Sequence, residues 1–181
     1  LLCFSNLGKV YWLKVYEIPQ ASRVAKGRPL VNLIQLDSEE RITSLLNVES
    51  FDAAGFVFMA TMKGVVKKTP LEDFRVPRKN GKRAIKLDAK DELVGTKITD
   101  GKQHIMLISD AGKAVYFDEK DSRPLGRDTR GVKGIELEDE QNVISLMVPG
   151  SEDEILTVSE NGFGKKSRIT DFRKTKRGAK G

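Results

Sequence analysis

The sequence predicts an all-β fold, arranged as a propeller-like array of four-stranded antiparallel blades. One observation is a hairpin motif that recurs at intervals of 56, 48 and 50 residues. Another is that no segment shows the apolar periodicity of an amphipathic helix. A repeat of about 50 residues with four short strands has the size of one propeller blade. At that size, 181 residues hold about three and a half blades.

Each repeat opens with an apolar run, a polar pair, a glycine and a second run. Glycine permits the positive φ that a tight hairpin turn needs. Each motif therefore predicts the first two strands of a blade. The motifs are LLCFSNLGKVYWLKV, FVFMATMKGVVKKTP, IMLISDAGKAVYF and ILTVSENGFGKKS, with glycines at Gly8, Gly64, Gly112 and Gly162.

The first three motifs are followed by two further predicted strands. The segments GRPLVNLIQL, GKRAIKL and GVKGIEL, from Gly27, Gly81 and Gly131, are predicted as third strands. Acidic turns (DSEE, DAKDE, EDEQ) lead from these to the predicted fourth strands RITSLLNV, LVGTKIT and NVISLMVP. We expect one domain with units at about 1–50, 51–99, 100–150 and 151–181. Because the fourth unit has only two predicted strands, which would leave edges unpaired, we expect the chain to be part of a longer array.

Positive charge is concentrated in four stretches of the chain. Residues 19–28, 75–83, 122–134 and 164–181 hold twenty of the 32 Lys and Arg side chains, against two acids. The net charge of the whole chain is only +6. Segregation of this kind indicates a polyanionic partner facing one part of the surface.

Each stretch contains a glycine-bearing segment between the second and third strands, and we call these segments the basic loops. In an up-and-down blade this connection lies at the end opposite to the hairpin and the acidic turn. We therefore expect the loops to line up as a continuous track at one end of the array. The basic loops are SRVAKGRP (22–29), PRKNGKR (77–83), GRDTRGVKG (126–134) and TKRGAKG (175–181).

A track of this composition suits duplex DNA. Lys and Arg neutralise phosphates without sequence preference, and glycines bring backbone amides close to phosphate oxygens. Few aromatic side chains occur in the loops, which argues against single-strand stacking, and no helix is available to read the major groove. The predicted phosphate contacts are Lys26, Arg28, Arg78, Lys79, Lys82, Arg83, Arg127, Arg130, Lys133, Lys176, Arg177 and Lys180. Six further residues are candidates for either a DNA contact or a structural role: Arg23, Lys67, Lys68, Arg123, Lys165 and Lys166.

The sequence predicts no catalytic, cofactor-binding or metal-binding residue. His104 stands alone, no Cys/His cluster has metal-ligand spacing, and no serine or cysteine has a histidine partner placed by the sequence. No apolar run approaches the ~18 residues of a membrane span. The single Cys3 excludes an internal disulfide and fits a reducing cytoplasm.

The segments LLCFSNLGKVYWLKVYEIPQASRVAKGRP, FMATMKGVVKKTPLEDF, ISDAGKAVYF, RPLGRDTRGVKGIEL, VISLMVP and TVSENGFGKKS occur in this order. Through them, essentially the whole chain resembles the C-terminal domain of the A subunit of bacterial DNA gyrase. The resemblance implies a six-bladed β-pinwheel whose neighbouring blades exchange strands and whose basic rim wraps duplex DNA, in support of ATP-driven negative supercoiling. It also implies that the DNA-cleaving tyrosine and the sites for ATP and Mg²⁺ lie elsewhere in the enzyme. The implied partners are the rest of the A subunit, as a dimer, and the B subunit, in the bacterial cytoplasm at the nucleoid.

One departure from the family pattern is clear. The basic box of the first blade, Gln-Arg-Arg-Gly-Gly-Lys-Gly, is absent, and TKRGAKG matches it only loosely, with Thr175, Lys176 and Ala179 as the differences. Without that box and the last blades, DNA bending is expected to be incomplete. Two alternatives stay open: the equivalent domain of topoisomerase IV, and a propeller that binds RNA or an acidic protein.

Overall fold

The computed structural model describes residues 1–52 and 54–181 and consists of short β-strands joined by tight turns. The strands are β1 (Leu2–Ser5), β2 (Lys9–Trp12), β3 (Ile42–Leu46), β4 (Phe56–Thr61), β5 (Val65–Pro70), β6 (Lys82–Arg83), β7 (Leu93–Thr99), β8 (His104–Ser109), β9 (Ala114–Asp118), β10 (Val132–Lys133), β11 (Val143–Met147), β12 (Glu154–Val158) and β13 (Gly164–Arg168). Helical structure in the described residues is limited to 3-10 turns at Val15–Glu17, Leu30–Asn32, Leu71–Phe74, Glu119–Asp121 and Ile169–Asp171. The all-β prediction is confirmed.

The four predicted hairpins are present and share one geometry. In each turn the glycine N–H donates to the carbonyl oxygen three residues earlier, at 2.9–3.0 Å. The hairpin glycines have φ between 72° and 81°. A side chain is strained at such angles, so the recurrence of glycine at this point has a direct conformational cause.

The strands form four antiparallel sheets that exchange strands along the chain. Their strand orders are β3-β1-β2-β6, β10-β5-β4-β7, β11-β8-β9 and β12-β13. β6 comes from the second unit but pairs with β2 of the first, and β10 comes from the third unit but pairs with β5 of the second. The exchange that the resemblance implied is therefore confirmed, and the expectation of self-contained up-and-down units is wrong. The physical reason is that the outer edge of a hairpin offers unpaired N–H and C=O groups, and the long basic loop reaches the preceding edge.

The predicted third strands are also shorter than expected. Only two residues each of GKRAIKL and GVKGIEL are strand, and GRPLVNLIQL forms the 3-10 turn Leu30–Asn32 instead. Pro29 cannot donate to a ladder, and the N–H groups of Leu33 and Ile34 bond back to the carbonyl oxygen of Leu30. The fourth strands β3, β7 and β11 lie where they were predicted.

The core lies between successive sheets, which pack face to face. Phe4 of the first sheet contacts Phe74 edge-on, with ring centroids 5.8 Å apart, and Phe58 of the second sheet faces Phe117 of the third at 6.5 Å. Because β4 lies between two such layers, its residues from Val57 to Ala60 are all buried. This explains why β4 reads as a continuous apolar run.

Candidate nucleic-acid interface

The third basic loop crosses from its own unit to the outer edge of β5. Leu125 N–H donates to the Lys68 carbonyl oxygen (2.8 Å) on β5, and Gly134 N–H donates to the Gly64 carbonyl oxygen (2.7 Å) just before β5 begins. The loop thus runs along the preceding unit's second strand between Lys68 and the hairpin. Backbone pairing fixes both ends of this path.

The second and fourth basic loops follow the same path one unit away. β6 pairs with β2, and Ala84 N–H then donates to the Gly8 carbonyl oxygen at 2.8 Å. In the fourth loop, Thr175 N–H donates to the carbonyl oxygen of Tyr116 on β9 at 2.7 Å. Each of these three loops therefore covers the edge of the preceding hairpin.

Neighbouring basic loops are also linked to each other. Arg127 Nη1 lies 3.4 Å from the Arg83 carbonyl oxygen, and Arg177 Nη1 donates to the Lys133 carbonyl oxygen. Both pairs are 44 residues apart in the chain. Gly178 N–H adds a bond of 2.7 Å to the Gly134 carbonyl oxygen. Residues 77–83, 126–134 and 175–181 consequently form one row, which we call the loop row.

Most of the predicted contact residues have exposed side chains. The exposed ones are Lys26, Arg28, Arg78, Lys79, Arg83, Arg130, Lys133, Lys176 and Lys180. Lys82, Arg127 and Arg177 are half-buried. Lys26 and Arg28 belong to the first basic loop, whose backbone turn is closed by a bond from Ala25 N–H to the Ser22 carbonyl oxygen (3.0 Å).

Positive charge is crowded around Lys82. Its Nζ lies 6.0 Å from the centre of the Trp12 ring. Burial lowers the pKa of Lys82, and the charges of Arg127 and Arg78 lower it further. The loop row therefore concentrates like charges where an incoming anion would relieve their repulsion.

Lys67 and Lys68 do not reach the surface, so of the two roles left open for them the DNA contact is wrong. Lys67 is fully buried, and its Nζ donates to the carbonyl oxygens of Ala84, Arg127 and Thr129. Lys68 is 5% exposed, and its Nζ lies 3.1 Å from the carbonyl oxygen of Glu119. Both strand positions face packed neighbours, because each side of β5 is covered by another part of the chain.

The other four residues that are candidates for either a DNA contact or a structural role lie at the surface. Arg23, Arg123, Lys165 and Lys166 are exposed. Lys166 forms an ion pair with Glu154 on the neighbouring strand. Nothing in their position on the described surface prevents a contact with a ligand, so they stay candidates.

The acidic turns are not held at the opposite end from all of the basic loops. Arg130 Nη1 lies 2.9 Å from Asp88 Oδ1, which belongs to the acidic turn of the preceding unit. The predicted separation is wrong here, because the exchanged loop runs along β5 toward the hairpin end, where that turn lies. Sequence reasoning missed this contact, since it depends on pairing between units.

The described residues contain no group of three or more His, Cys, Asp or Glu side chains placed to hold a metal ion. His104 is half-buried, with its ring 5.2 Å from that of Tyr116. Among the described residues, no helix is long and apolar enough to cross a membrane.

The family model of the DNA gyrase C-terminal domain, a β-propeller, matches residues 1–49, 55–100, 103–149 and 153–181. The chain is 46% identical over 181 residues to the A subunit of DNA gyrase from Klebsiella oxytoca, a match that covers 100% of this chain and 21% of that protein. The chain thus spans about a fifth of the length of such relatives.

Solved structures show the same architecture. The C-terminal domain of DNA topoisomerase IV superposes with a TM-score of 0.91 at 30% identity, over 99% of this chain and 56% of that chain. The DNA gyrase A C-terminal domain superposes with a TM-score of 0.84 at 28% identity, over 99% of this chain and 58% of that chain. The family model also matches all four units in their order along the chain. Together, these findings show that the chain belongs to the DNA gyrase C-terminal domain family of β-propellers.

Proposed function

We propose that this domain binds duplex DNA along the loop row, without sequence preference, and bends and wraps it. The single observation that carries the proposal is the set of hydrogen bonds that join three basic loops across successive sheets. A row of this kind presents cations at intervals along a surface, as a phosphate backbone requires.

The electrostatics of the row support an anionic partner. Burial lowers the pKa of Lys82, and the positive charges of Arg127 and Arg78 lower it further against the opposing effect of Asp73 and Asp128. A phosphate placed among the three positive charges would remove their repulsion and release counterions, which favours binding at low salt.

Bending follows from the arrangement of the loops. We expect a duplex that contacts loops carried by several sheets of a propeller-like array to curve with them. Elastic estimates put the cost at about 1–6 kcal/mol for bending 20–30 base pairs through 40–90°. Phosphate contacts made by several loops would offset a cost of that size.

The wider role rests on the relatives that are A subunits of DNA gyrase. In the intact enzyme, we assign this domain the task of wrapping DNA in support of ATP-dependent negative supercoiling. Its partners would be the rest of the A subunit, as a dimer, and the B subunit, in the bacterial cytoplasm at the nucleoid. DNA cleavage and the use of ATP and Mg²⁺ are assigned to other parts of the enzyme.

A second candidate is the corresponding domain of topoisomerase IV. It is favoured by the TM-score of 0.91 with that enzyme's C-terminal domain, whereas relatives such as the Klebsiella protein favour gyrase. The intact enzyme decides between them: supercoiling of relaxed plasmid would favour gyrase, and its absence would favour the second candidate. RNA or an acidic protein as the ligand would be shown by competition in which duplex DNA fails to displace it.

Plasmid topology tests the proposal directly. Relaxed nicked plasmid is sealed by ligase in the presence of the protein, and the linking number is measured after deproteinisation. Wrapping leaves a shift that grows with protein concentration. The control is a variant in which Arg78, Lys79, Lys82 and Arg83 are all changed to Gln, which should lose most of the shift. DNA binding without any shift, in the wild-type protein, would refute wrapping.

A further inference from the structure

Lys67 lies beneath the loop row, with its charged end among backbone carbonyl groups. Its Nζ is 2.7 Å from the Ala84 oxygen, 2.5 Å from the Arg127 oxygen and 3.2 Å from the Thr129 oxygen. An ammonium group has three N–H donors, and these three acceptors use all of them. Ala84 directly follows the second basic loop, whereas Arg127 and Thr129 belong to the third.

The third basic loop leaves the edge of β5 just above this group. Leu125 is still bonded to the β5 backbone, and pairing resumes where Val132 lies opposite Val66. Residues 126–130 arch away from the strand and carry Arg127 and Arg130, and Gly131 lies against β5 again. The Lys67 ammonium fills the inside of that arch.

We propose that Lys67 is a positioning residue of the DNA interface, whose ammonium holds the arch of the third basic loop in shape and ties it to the second loop at Ala84. The inference rests on the proposed function for the nature of the ligand, while the shape of the arch can be measured without any ligand. Arg127 and Arg130 would then meet phosphates in a preformed arrangement, so less ordering is left to binding.

A comparison of equivalent positions in the internal repeats distinguishes this positioning role from simple packing. The pairing of Lys9 with Arg83 corresponds to that of Val65 with Lys133, so Tyr11 occupies the position of Lys67 in the first unit. Counted from the hairpin glycine, the third unit has Val115 at this position, and it is buried. Neutral side chains therefore fill the position in two other units, and an ammonium is not needed to build the sheet.

The surroundings of Lys67 make its charge sensitive to a ligand. Burial lowers the pKa of Lys67 to about 7, and Arg127 lowers it too, whereas the facing carboxylates Asp128 and Asp73 raise it. The neutral amine has two N–H donors for three acceptors, so it holds the arch less completely. Phosphates above the loop would favour the charged form, and DNA binding near pH 8 would therefore take up a proton at this site.

The test compares Lys67→Met with Lys68→Met in the intact protein. Both variants remove one buried positive charge from adjacent positions of β5, but the Lys68 ammonium binds Glu119 instead of the basic loops. Hydrogen exchange of residues 126–133 reports the arch without DNA. Binding of a duplex of some tens of base pairs, measured at fixed salt, reports the interface.

For Lys67→Met we expect faster hydrogen exchange in residues 126–133 and roughly tenfold weaker DNA binding. A tenfold loss of affinity corresponds to an arch that has the binding-competent shape in about a tenth of the molecules. Lys68→Met should leave both unchanged. Unchanged exchange and affinity in Lys67→Met, or equal losses in both variants, would overturn the proposal. If the wild-type protein does not bind duplex DNA, the proposed function fails, but the exchange comparison still decides whether Lys67 holds the arch.

A measurement on the wild-type protein covers the case in which Lys67→Met does not fold. The enthalpy of DNA binding at pH 8 is compared in two buffers with different ionisation enthalpies, which gives the number of protons taken up. Positive uptake near pH 8 that falls away below pH 6 is expected, and it should persist in Lys82→Gln, because the pKa of Lys82 is lowered as well. Binding without proton uptake at pH 8 would contradict the assignment.

Discussion

The guanidinium group of Arg177 donates to the backbone carbonyl oxygen of Lys133, one unit earlier in the chain. Arg127 stands in the same relation to Arg83. Two of the predicted phosphate contacts therefore also connect neighbouring loops. The loop row is a hydrogen-bonded structure as well as a cluster of charge, and both properties can be tested.

The salt dependence of DNA binding tests the contribution of the positive charge in the loop row. Changing Arg78, Lys79, Lys82 and Arg83 together to Gln should reduce the slope of log K against log[salt] by about 0.9 for each phosphate interaction that the change removes. The slope is obtained from DNA titrations between low and physiological salt. The matched control changes four exposed lysines away from the basic loops, Lys90, Lys97, Lys102 and Lys120, to Gln. Equal slopes for the two variants would show that only net charge matters.

Arg177 and Lys176 test the connection between loops. Arg177 donates to two carbonyl oxygens, including that of Asp121 at 3.0 Å, whereas Lys176 is exposed. We expect Arg177→Ala to lower the free energy of unfolding by about 1–2 kcal/mol, because charged hydrogen bonds are removed. Lys176→Ala should stay within about 0.5 kcal/mol of the wild type. Chemical denaturation measures both, and equal stabilities would argue against the link.

Gly131 tests the path of the third basic loop along β5. A Cβ atom at Gly131 would lie 2.5 Å from the Val66 carbonyl oxygen, and the φ of Gly131 is 113°. Gly131→Ala should therefore destabilise the protein by roughly 2–4 kcal/mol, through backbone overlap and an unfavourable φ. Gly126 lies in the same loop, with nothing within 4 Å of its Cβ position. The thermal midpoint should fall for Gly131→Ala and change little for Gly126→Ala, and similar midpoints would mean that the loop does not approach β5.

The buried Lys67 predicts a pH dependence of stability. Its pKa is about 7 in the folded protein, below its ordinary value, so between those two values the unfolded chain binds the additional proton. The free energy of unfolding should therefore rise with pH above 7, by roughly 1–3 kcal/mol between pH 7 and pH 9. Urea titrations at the two pH values measure this rise. Lys67→Met should lose this contribution and Lys68→Met should keep it, and an identical rise in all three proteins would rule out Lys67 as its source.

The stability and DNA-binding trends have opposite signs. Deprotonation of Lys67 relieves the cost of a buried charge, which favours the folded state at high pH. The same deprotonation removes a donor beneath the arch and a positive charge near phosphates, which weakens DNA binding. Measuring both quantities on one sample separates these effects.

The repeated hairpins and fourth strands were predictable because their signals are local. A glycine with φ near 72°, as at Gly8, and an apolar run on either side determine a hairpin within about fifteen residues. The positions of the basic loops were predictable for the same reason, since charge and glycine are visible in the sequence. The order of these features also carried the resemblance to the family.

The tertiary structure decided which edge each basic loop covers and which lysines are buried. Lys67 and Lys165 occupy equivalent places in their hairpins, yet Lys67 is buried beneath an exchanged loop and Lys165 is exposed. The contact between Arg130 and Asp88 likewise exists only because the third loop lies on β5. Local sequence determines the turns and strands, whereas strand exchange depends on backbone groups far apart in the chain that become neighbours only after the sheets have packed. For that reason the sequence determined the presence of the basic loops, and their arrangement as a connected row was decided by the fold.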